Sequence, residues 1–298
     1  MNQGKFEYII QETDKELPIK ELLKRNFGFS SRLMTRLKAN DLVRLNGELV
    51  KMYQKGNPGD RITVFLPKEK SGFEPENIPI SVVYEDDDLL IINKQPGFVV
   101  HPTKGHPCHT MANGIMNYML QQHKHYKIRF INRLDMDTSG LLAIAKNSHC
   151  QDDMSRQMNE NGVTKKYVAV VKGILPEEEG TVDLPIDKGH EDHVKRAVSK
   201  DGYPSVTHYK VLERFDKGYT LAELVLETGR THQIRVHMSH IGHPIVGDVL
   251  YGEASVWLID RQALHARYLS FRHPVTGRFM ELEAPLPEDM LALLEKIR

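Results

Sequence analysis

Residues 129–146, RFINRLDMDTSGLLAIAK, join a charged, tight turn to an apolar strand. Asp137, Thr138, Ser139 and Gly140 are residue types that bond to nearby backbone or accept unusual dihedral angles, so they mark the turn. Working outward, ISVVYE (80–85), DLLIINK (88–94), KYVAVVKG (166–173), SVTHYKVLER (205–214) and YTLAELVLE (219–227) are β-rich and bounded by turn formers. Helical stretches fall around 110–122, 149–160, 231–241 and 287–297. Strands and helices do not alternate regularly. The expected class is therefore α+β with a mixed, mostly antiparallel sheet rather than a doubly wound parallel one.

The chain before residue 80 reads differently. LPIKELLKRNFG is a short helix stopped by Gly28, and Ser30 or Ser31 can cap a second helix whose Leu33, Met34 and Leu37 form one apolar side. VRLNGELV carries Asn46-Gly47 between apolar runs, a hairpin signal, and PGDRITVFLP closes the unit with a strand. We expect a small α/β module over 15–67, a Pro-broken polar linker over 68–79, and a catalytic domain over 80–298. Two helices followed by a hairpin, with basic residues on the second helix, resemble the RNA-binding domain of the ribosomal protein S-four type.

Composition narrows the partners. With 298 residues, 40% hydrophobic and 27% charged, the chain is long enough for a sizeable core. Apolar runs such as LLII (89–92) are too short to span a bilayer, and the first residues lack the pattern of a signal peptide. Cys108 and Cys150 are the only cysteines, which fits a reducing cytoplasm and no disulfide scaffold. Net charge is zero, yet residues 20–44 hold Lys20, Lys24, Arg25, Arg32, Arg36, Lys38 and Arg44 against Glu21 and Asp41, a local +5. Such a patch is what a phosphate backbone selects, and it is also what an ordinary solvated helix face looks like.

Within 129–146, Arg133, Asp135 and Asp137 crowd one turn. From pattern alone they could simply brace it, Asp137 by side-chain bonds to the backbone and Asp135 by pairing with Arg133. However, RLDMDTSG resembles the signature of the RluA-type pseudouridine synthases. Lys166-Tyr167-Val168-Ala169-Val170 resembles that family's second motif and LETGRTHQIRVH (226–237) its third; GHPIVGDVLYG (242–252) and LHARYLSFRHPVTG (264–277) follow in the family's order. The resemblance spans about 80–285. Two positions depart from the pattern: Asn132 stands where His is common, and NKQPGFVVHP (93–102) has Lys-Gln-Pro-Gly where Lys-Pro-x-Gly is usual.

The resemblance implies a pseudouridine synthase fold and a cofactor-independent conversion of uridine to pseudouridine in RNA. It implies Asp135 as nucleophile, Tyr167 against the target base, and Arg230 as the cation paired with Asp135. RNA contacts are expected at Asn132 and Arg133, at Lys94, and at Arg32, Arg36 and Lys38 of the basic module. Large-subunit ribosomal RNA is the implied substrate, transfer RNA the alternative, and a monomer the expected state. The chemistry is consistent: the reaction rearranges atoms without gaining any, and the chain has neither a GxGxxG nor a GxxxxGK[ST] loop. A base must leave its stack, which costs a few kcal/mol, and aromatic stacking returns about 1–3 kcal/mol. Histidines cluster around Cys108 and over 232–243, but without HExxH spacing we expect no metal. Asp137-Thr138-Ser139-Gly140 is a poor aspartic-protease loop, having an extra residue and no second copy. The remaining rival is an inactive RNA-binding assembly factor.

Overall fold

The computed structural model describes residues 4–188 and 195–298. It opens with β1 (Lys5–Ile9), α1 (Ile19–Phe27), α2 (Ser31–Ala39), β2 (Val43–Leu45), β3 (Glu48–Leu49) and β4 (Arg61–Phe65). α1 ends because Gly28 takes the left-handed conformation that closes a helix, and the Ser30 hydroxyl caps α2 by accepting from Leu33 N at 3.3 Å. Positive φ at both Asn46 and Gly47 makes the tight β2–β3 hairpin. The sheet order is β1-β4-β2-β3. The expected 15–67 range omits β1, whose residues 5–9 pair with 61–65 along the whole length of β4. Leu22, Leu23, Leu33, Leu37, Ile62 and Val64 fill this unit's core.

The larger sheet uses β5 (Ser81–Glu85), β6 (Leu89–Lys94), α3 (Met111–Gln121), β7 (Arg129–Phe130), β8 (Ser139–Ala145), α4 (Ser148–Asn159), β9 (Thr164–Lys172) and β10 (Glu179–Asp183). A small ribbon, β11 (Ile186–Lys188) with β12 (Arg196–Val198), precedes β13 (Val206–Phe215), β14 (Tyr219–Leu226) and α5 (Gln233–His240). The chain finishes with β15 (Leu264–Arg272), β16 (Phe279–Glu283) and α6 (Glu288–Ile297). The path is β10-β13-β14-β9-β15-β8-β6-β5, with β16 added to β15 and β7 to β8. The pairing of β15 with β8 is parallel and the other described pairings of this sheet are antiparallel, so the sheet is mixed and mostly antiparallel as expected.

β6 and β8 are apolar on both faces because both faces are covered. Leu90, Ile92, Leu142 and Ile144 point to one side, where α3, α5 and α6 bring Ile115, Met238 and Leu293. Leu89, Ile91, Leu141 and Ala143 point to the other, against Cys150 and Met154 of α4 and Phe271 of β15. The N-terminal unit rests on α4. His149 is met edge-on by the Phe6 and Phe29 rings at 5.2 and 5.1 Å, and Ser30 donates to Asp152 at 2.7 Å.

At the middle of the sheet the parallel β15–β8 contact is short, Ser139 opposite His265 and Gly140 opposite Ala266. Gly140 has φ +111°, and a Cβ there would lie 2.2 Å from the Ala266 carbonyl oxygen, so only glycine permits the approach. Beside it the Ser139 hydroxyl donates to His265 Nδ1 at 2.9 Å, while His265 Nε2 donates to the Ala284 carbonyl at 3.3 Å. Burial pushes His265 down to about 4. Acidification protonates this side chain in the unfolded chain near pH 6.5 but in the folded chain only near 4. Stability therefore falls as pH drops through that window, by about 3 kcal/mol from this residue. Urea denaturation of wild type and His265→Gln between pH 7 and 4 should show a shallower pH slope in the variant; identical slopes would reject the assignment.

Candidate active site

The turn before β8 is suspended from its surroundings by its own carbonyls. Lys94, at the end of β6, is fully buried, and its ammonium donates to the carbonyls of Gln95 (3.0 Å), Met136 (2.7 Å) and Thr138 (2.9 Å). Burial pushes Lys94 down to about 7, against the pull of Asp137 and Asp135. Arg261 Nη1 donates to the Asp137 carbonyl at 3.0 Å, and Arg261 is itself paired with Asp289 of α6 through Nε at 2.6 Å and Nη2 at 2.9 Å. Gln262 adds a 3.3 Å bond to the Thr138 hydroxyl, and Thr138 N closes the turn on the Asp135 carbonyl at 3.1 Å. The sequence suggested Lys94 as an RNA contact; the structure places it instead as a buried internal support of the turn.

Asp135 is left with its carboxylate partly exposed in a pocket of about 60 Å³, which is also lined by Arg133, Tyr167, Arg230, His232 and Arg235. Its Oδ2 accepts from Arg235 Nη1 at 3.0 Å. Arg235 stands in the first turn of α5, between Ile234 and Val236, and is nearly buried. It makes a two-pronged bond to the fully buried Asp248, Nε to Oδ2 at 2.7 Å and Nη2 to Oδ1 at 2.9 Å. Asp248 Oδ1 also accepts from the backbone of Leu250 (3.0 Å) and Tyr251 (3.2 Å). Burial opposes the charge of Arg235, but the Asp248 bonds and field, with Asp135 behind them, hold it above the usual guanidinium range. The ring of Tyr251 lies under the guanidinium at 5.1 Å.

Arg230 does not pair with Asp135. His232, with φ +58°, turns the chain just ahead of α5, so Arg230 precedes the helix and points outward. Its Nε donates to the Pro204 carbonyl at 3.3 Å and its guanidinium lies over the Tyr203 ring at 5.3 Å. Reading outward from the motif, the wrong one of two arginines is taken. An arginine flanked by apolar residues in a buried helix requires a buried acid, and Asp248 in PIVGDVLYG is that acid.

Tyr167 of β9 is buried beside Asp135, and burial together with that negative charge raises its phenol so that it stays neutral. His232 was not singled out in the sequence. Its Nε2 sits 3.8 Å from Asp135 Oδ2, beyond hydrogen-bond reach, and its Nδ1 accepts from the Tyr251 hydroxyl at 2.8 Å. Burial lowers its pKa against the pull of Asp135, which favours the neutral ring. Asn132 is occupied differently from the expectation: its Nδ2 donates to the Leu141 carbonyl (3.1 Å) and its Oδ1 accepts from Ala143 N (2.8 Å), so the amide pins the approach of β7 to β8. Arg133 is exposed and, among the described residues, has no charge or hydrogen-bond partner.

An aspartate held open by a buried arginine, beside a buried tyrosine and with no redox or phosphate-loop motif in the chain, fits an RNA base isomerase. Residues 88–240 match the family described as RNA pseudouridylate synthase. The chain is 44% identical over 260 residues to YlyB of Bacillus subtilis (strain 168), called an uncharacterized RNA pseudouridine synthase, with 86% of each chain covered. It is 41% identical over 283 residues to the ribosomal large subunit pseudouridine synthase D of Pasteurella multocida (strain Pm70), covering 90% of this chain and 86% of that one. Among solved structures, Human RNA Pseudouridylate Synthase Domain Containing 1 matches with TM-score 0.58 and 30% identity over 70% of this chain and 83% of that one. This is an RNA pseudouridine synthase. Within that class it belongs to the RluA-type family, and its substrate is RNA. Among the described residues no helix is long and apolar enough to cross a membrane.

Removing the Arg235 charge strands Asp248 in the interior. Arg235→Met should destabilise the fold by roughly 3–5 kcal/mol, whereas Arg230→Met should change it by less than about 0.5 kcal/mol. Urea unfolding of both variants reads the difference, and equal effects would remove the Arg235–Asp248 pair as a structural requirement.

Proposed function

We propose that the protein converts specific uridines of large-subunit ribosomal RNA to pseudouridine, with Asp135 as the nucleophile. The observation that carries the assignment is the Asp135 carboxylate standing in an open pocket with Arg235 at 3.0 Å and Tyr167 beside it. In the reaction the C1′–N1 bond breaks, the uracil turns, and a C1′–C5 bond forms; the hydrogen leaves C5 and N1 gains one. The atoms balance without an oxidant, a reductant or an external group donor. Asp135 attacks or deprotonates the target nucleotide. Arg235 supplies the positive charge that a desolvated carboxylate needs, and Arg235 is in turn fixed by Asp248. Tyr167 contacts the flipped base, and Arg133, unpaired at the pocket mouth, contacts the displaced strand or the neighbouring phosphate.

The N-terminal unit acts as an RNA-binding module of the ribosomal protein S-four type, tied by residues 68–79 to the catalytic domain of residues 80–298. Phosphate contacts are assigned to Arg32 and Arg36, which share one face of α2, and to Lys38 on another. Large-subunit RNA is favoured over transfer RNA by relatives named ribosomal large subunit pseudouridine synthase D that align over most of the chain. The enzyme works as a cytoplasmic monomer.

Asp135→Asn should abolish pseudouridine formation while RNA affinity stays within a few-fold of wild type. Near-normal turnover by the variant would remove the nucleophile assignment. Pseudouridine mapping of total RNA from cells with and without the gene should show losses confined to large-subunit ribosomal RNA. Losses confined to transfer RNA would overturn that substrate, and binding with no isomerisation by pure protein would favour an assembly factor.

A further inference from the structure

A cavity larger than the pocket at Asp135 lies elsewhere on the molecule. It is a groove of about 480 Å³ between α2 of the N-terminal unit and the β7 edge of the larger sheet. Arg32, Arg36, Lys127, Arg129 and Arg133 face it, against the two carboxylates Glu69 and Asp152. Both acids are already engaged. Asp152 accepts from Ser30, and Glu69, in the linker, binds Arg36 Nη1 at 3.2 Å, Arg129 Nη2, and Lys127 Nζ at 4.0 Å. Arg32 on one wall and Arg133 on the other are exposed and, among the described residues, without a partner. Five cations against two carboxylates leave the groove lining a net +3, which calls for an incoming anion.

We infer that this groove binds the single-stranded RNA segment that continues from the target uridine. The inference rests on the reading of Asp135 as the reacting group and extends it to the flanking nucleotides. Arg133 lines both the groove and the Asp135 pocket, so one chain of nucleotides can pass from one to the other. The groove also has what bases require: the Phe130 ring and the tilted His101 ring, with centroids 6.4 Å apart. Cations along a backbone path combined with aromatic faces are the chemistry of single-strand binding. A duplex hides its base faces and gains nothing from these rings. Two of the five cations come from α2 and three from β7 and the segments flanking it, so the groove exists only while the N-terminal unit is docked on α4.

Lys127 and Arg32 are exposed, so their replacement leaves the core untouched. The test compares full-length wild type with Arg32→Gln/Lys127→Gln. It measures the Kd of a fluorescent single-stranded RNA 12-mer and of a blunt RNA duplex across a salt series. The double variant should bind the single strand about tenfold more weakly at about 150 mM salt, with the slope of log K against log salt smaller by about 1.4. A 4-thiouridine strand should photo-crosslink wild type at residues 101 and 127–133. An unchanged Kd and slope, crosslinks confined to other surfaces, or tighter wild-type binding of the duplex than of the single strand would each overturn the inference. So would displacement of the strand by a poly-glutamate peptide at equal concentration, because the groove would then be an acidic-peptide site. Turnover by Asp135→Asn would fail the reading of the active site, whereas unchanged binding in the double variant alongside normal wild-type isomerisation would fail only the groove.

Discussion

A buried ammonium on three backbone carbonyls governs this structure. Among the described residues no carboxylate lies within hydrogen-bond reach of Lys94; its donors go to Gln95, Met136 and Thr138, and two of those carbonyls belong to the turn that carries Asp135. A loop held through its carbonyls leaves its side chains free. That is how Asp135 faces an open pocket while the backbone beneath it is packed between β6, β15 and Arg261. The same demand explains Gly140, since the strand must start against the Ala266 backbone for Lys94 and Arg261 to reach the turn together. Position and exposure, which compete in most loops, are reconciled because support comes from below.

The charge arrangement follows a parallel logic. Arg235 belongs more to Asp248 than to Asp135: two bonds and near-complete burial on one side, one bond at a partly exposed pocket wall on the other. The buried pair makes the arginine a fixed object rather than a flexible surface charge. A guanidinium pre-set in this way loses no rotamer freedom when substrate arrives. Tyr251 serves both sides of the pocket, lying under that guanidinium while its hydroxyl sets the ring of His232.

Much of this was legible in the sequence because it is local. The charged turn and the strand after it, the Gly28 stop, the Ser30 cap and the Asn46-Gly47 hairpin each follow from a few adjacent residues, and the mixed sheet follows from strand patterning. The failures are all long-range. Lys94 reads as a strand-end surface charge until Met136 and Thr138 are known to surround it. Arg230 and Arg235 share one motif, and only the turn at His232 decides which one looks inward. Asn132 looks like a polar loop residue, yet β8 consumes both ends of its amide. KFEYI is only five residues long, and its partner β4 lies at 61–65. The groove is built by docking two units, so no stretch of sequence contains it.

The docking of the Asp135 turn on distant segments also orders events while the chain is being made. Asp135 is made before Arg235, Asp248, Arg261 and the Ala266 backbone, which follow it by 100 residues or more, and Asp289, which anchors Arg261, comes later still. A nascent chain that has not yet reached Arg235 carries the Asp135 turn with Lys94 beneath it but without Arg235, Arg261 or the Ala266 backbone. The Asp135 turn therefore gains its full set of partners only once the segments through Asp289 have been made.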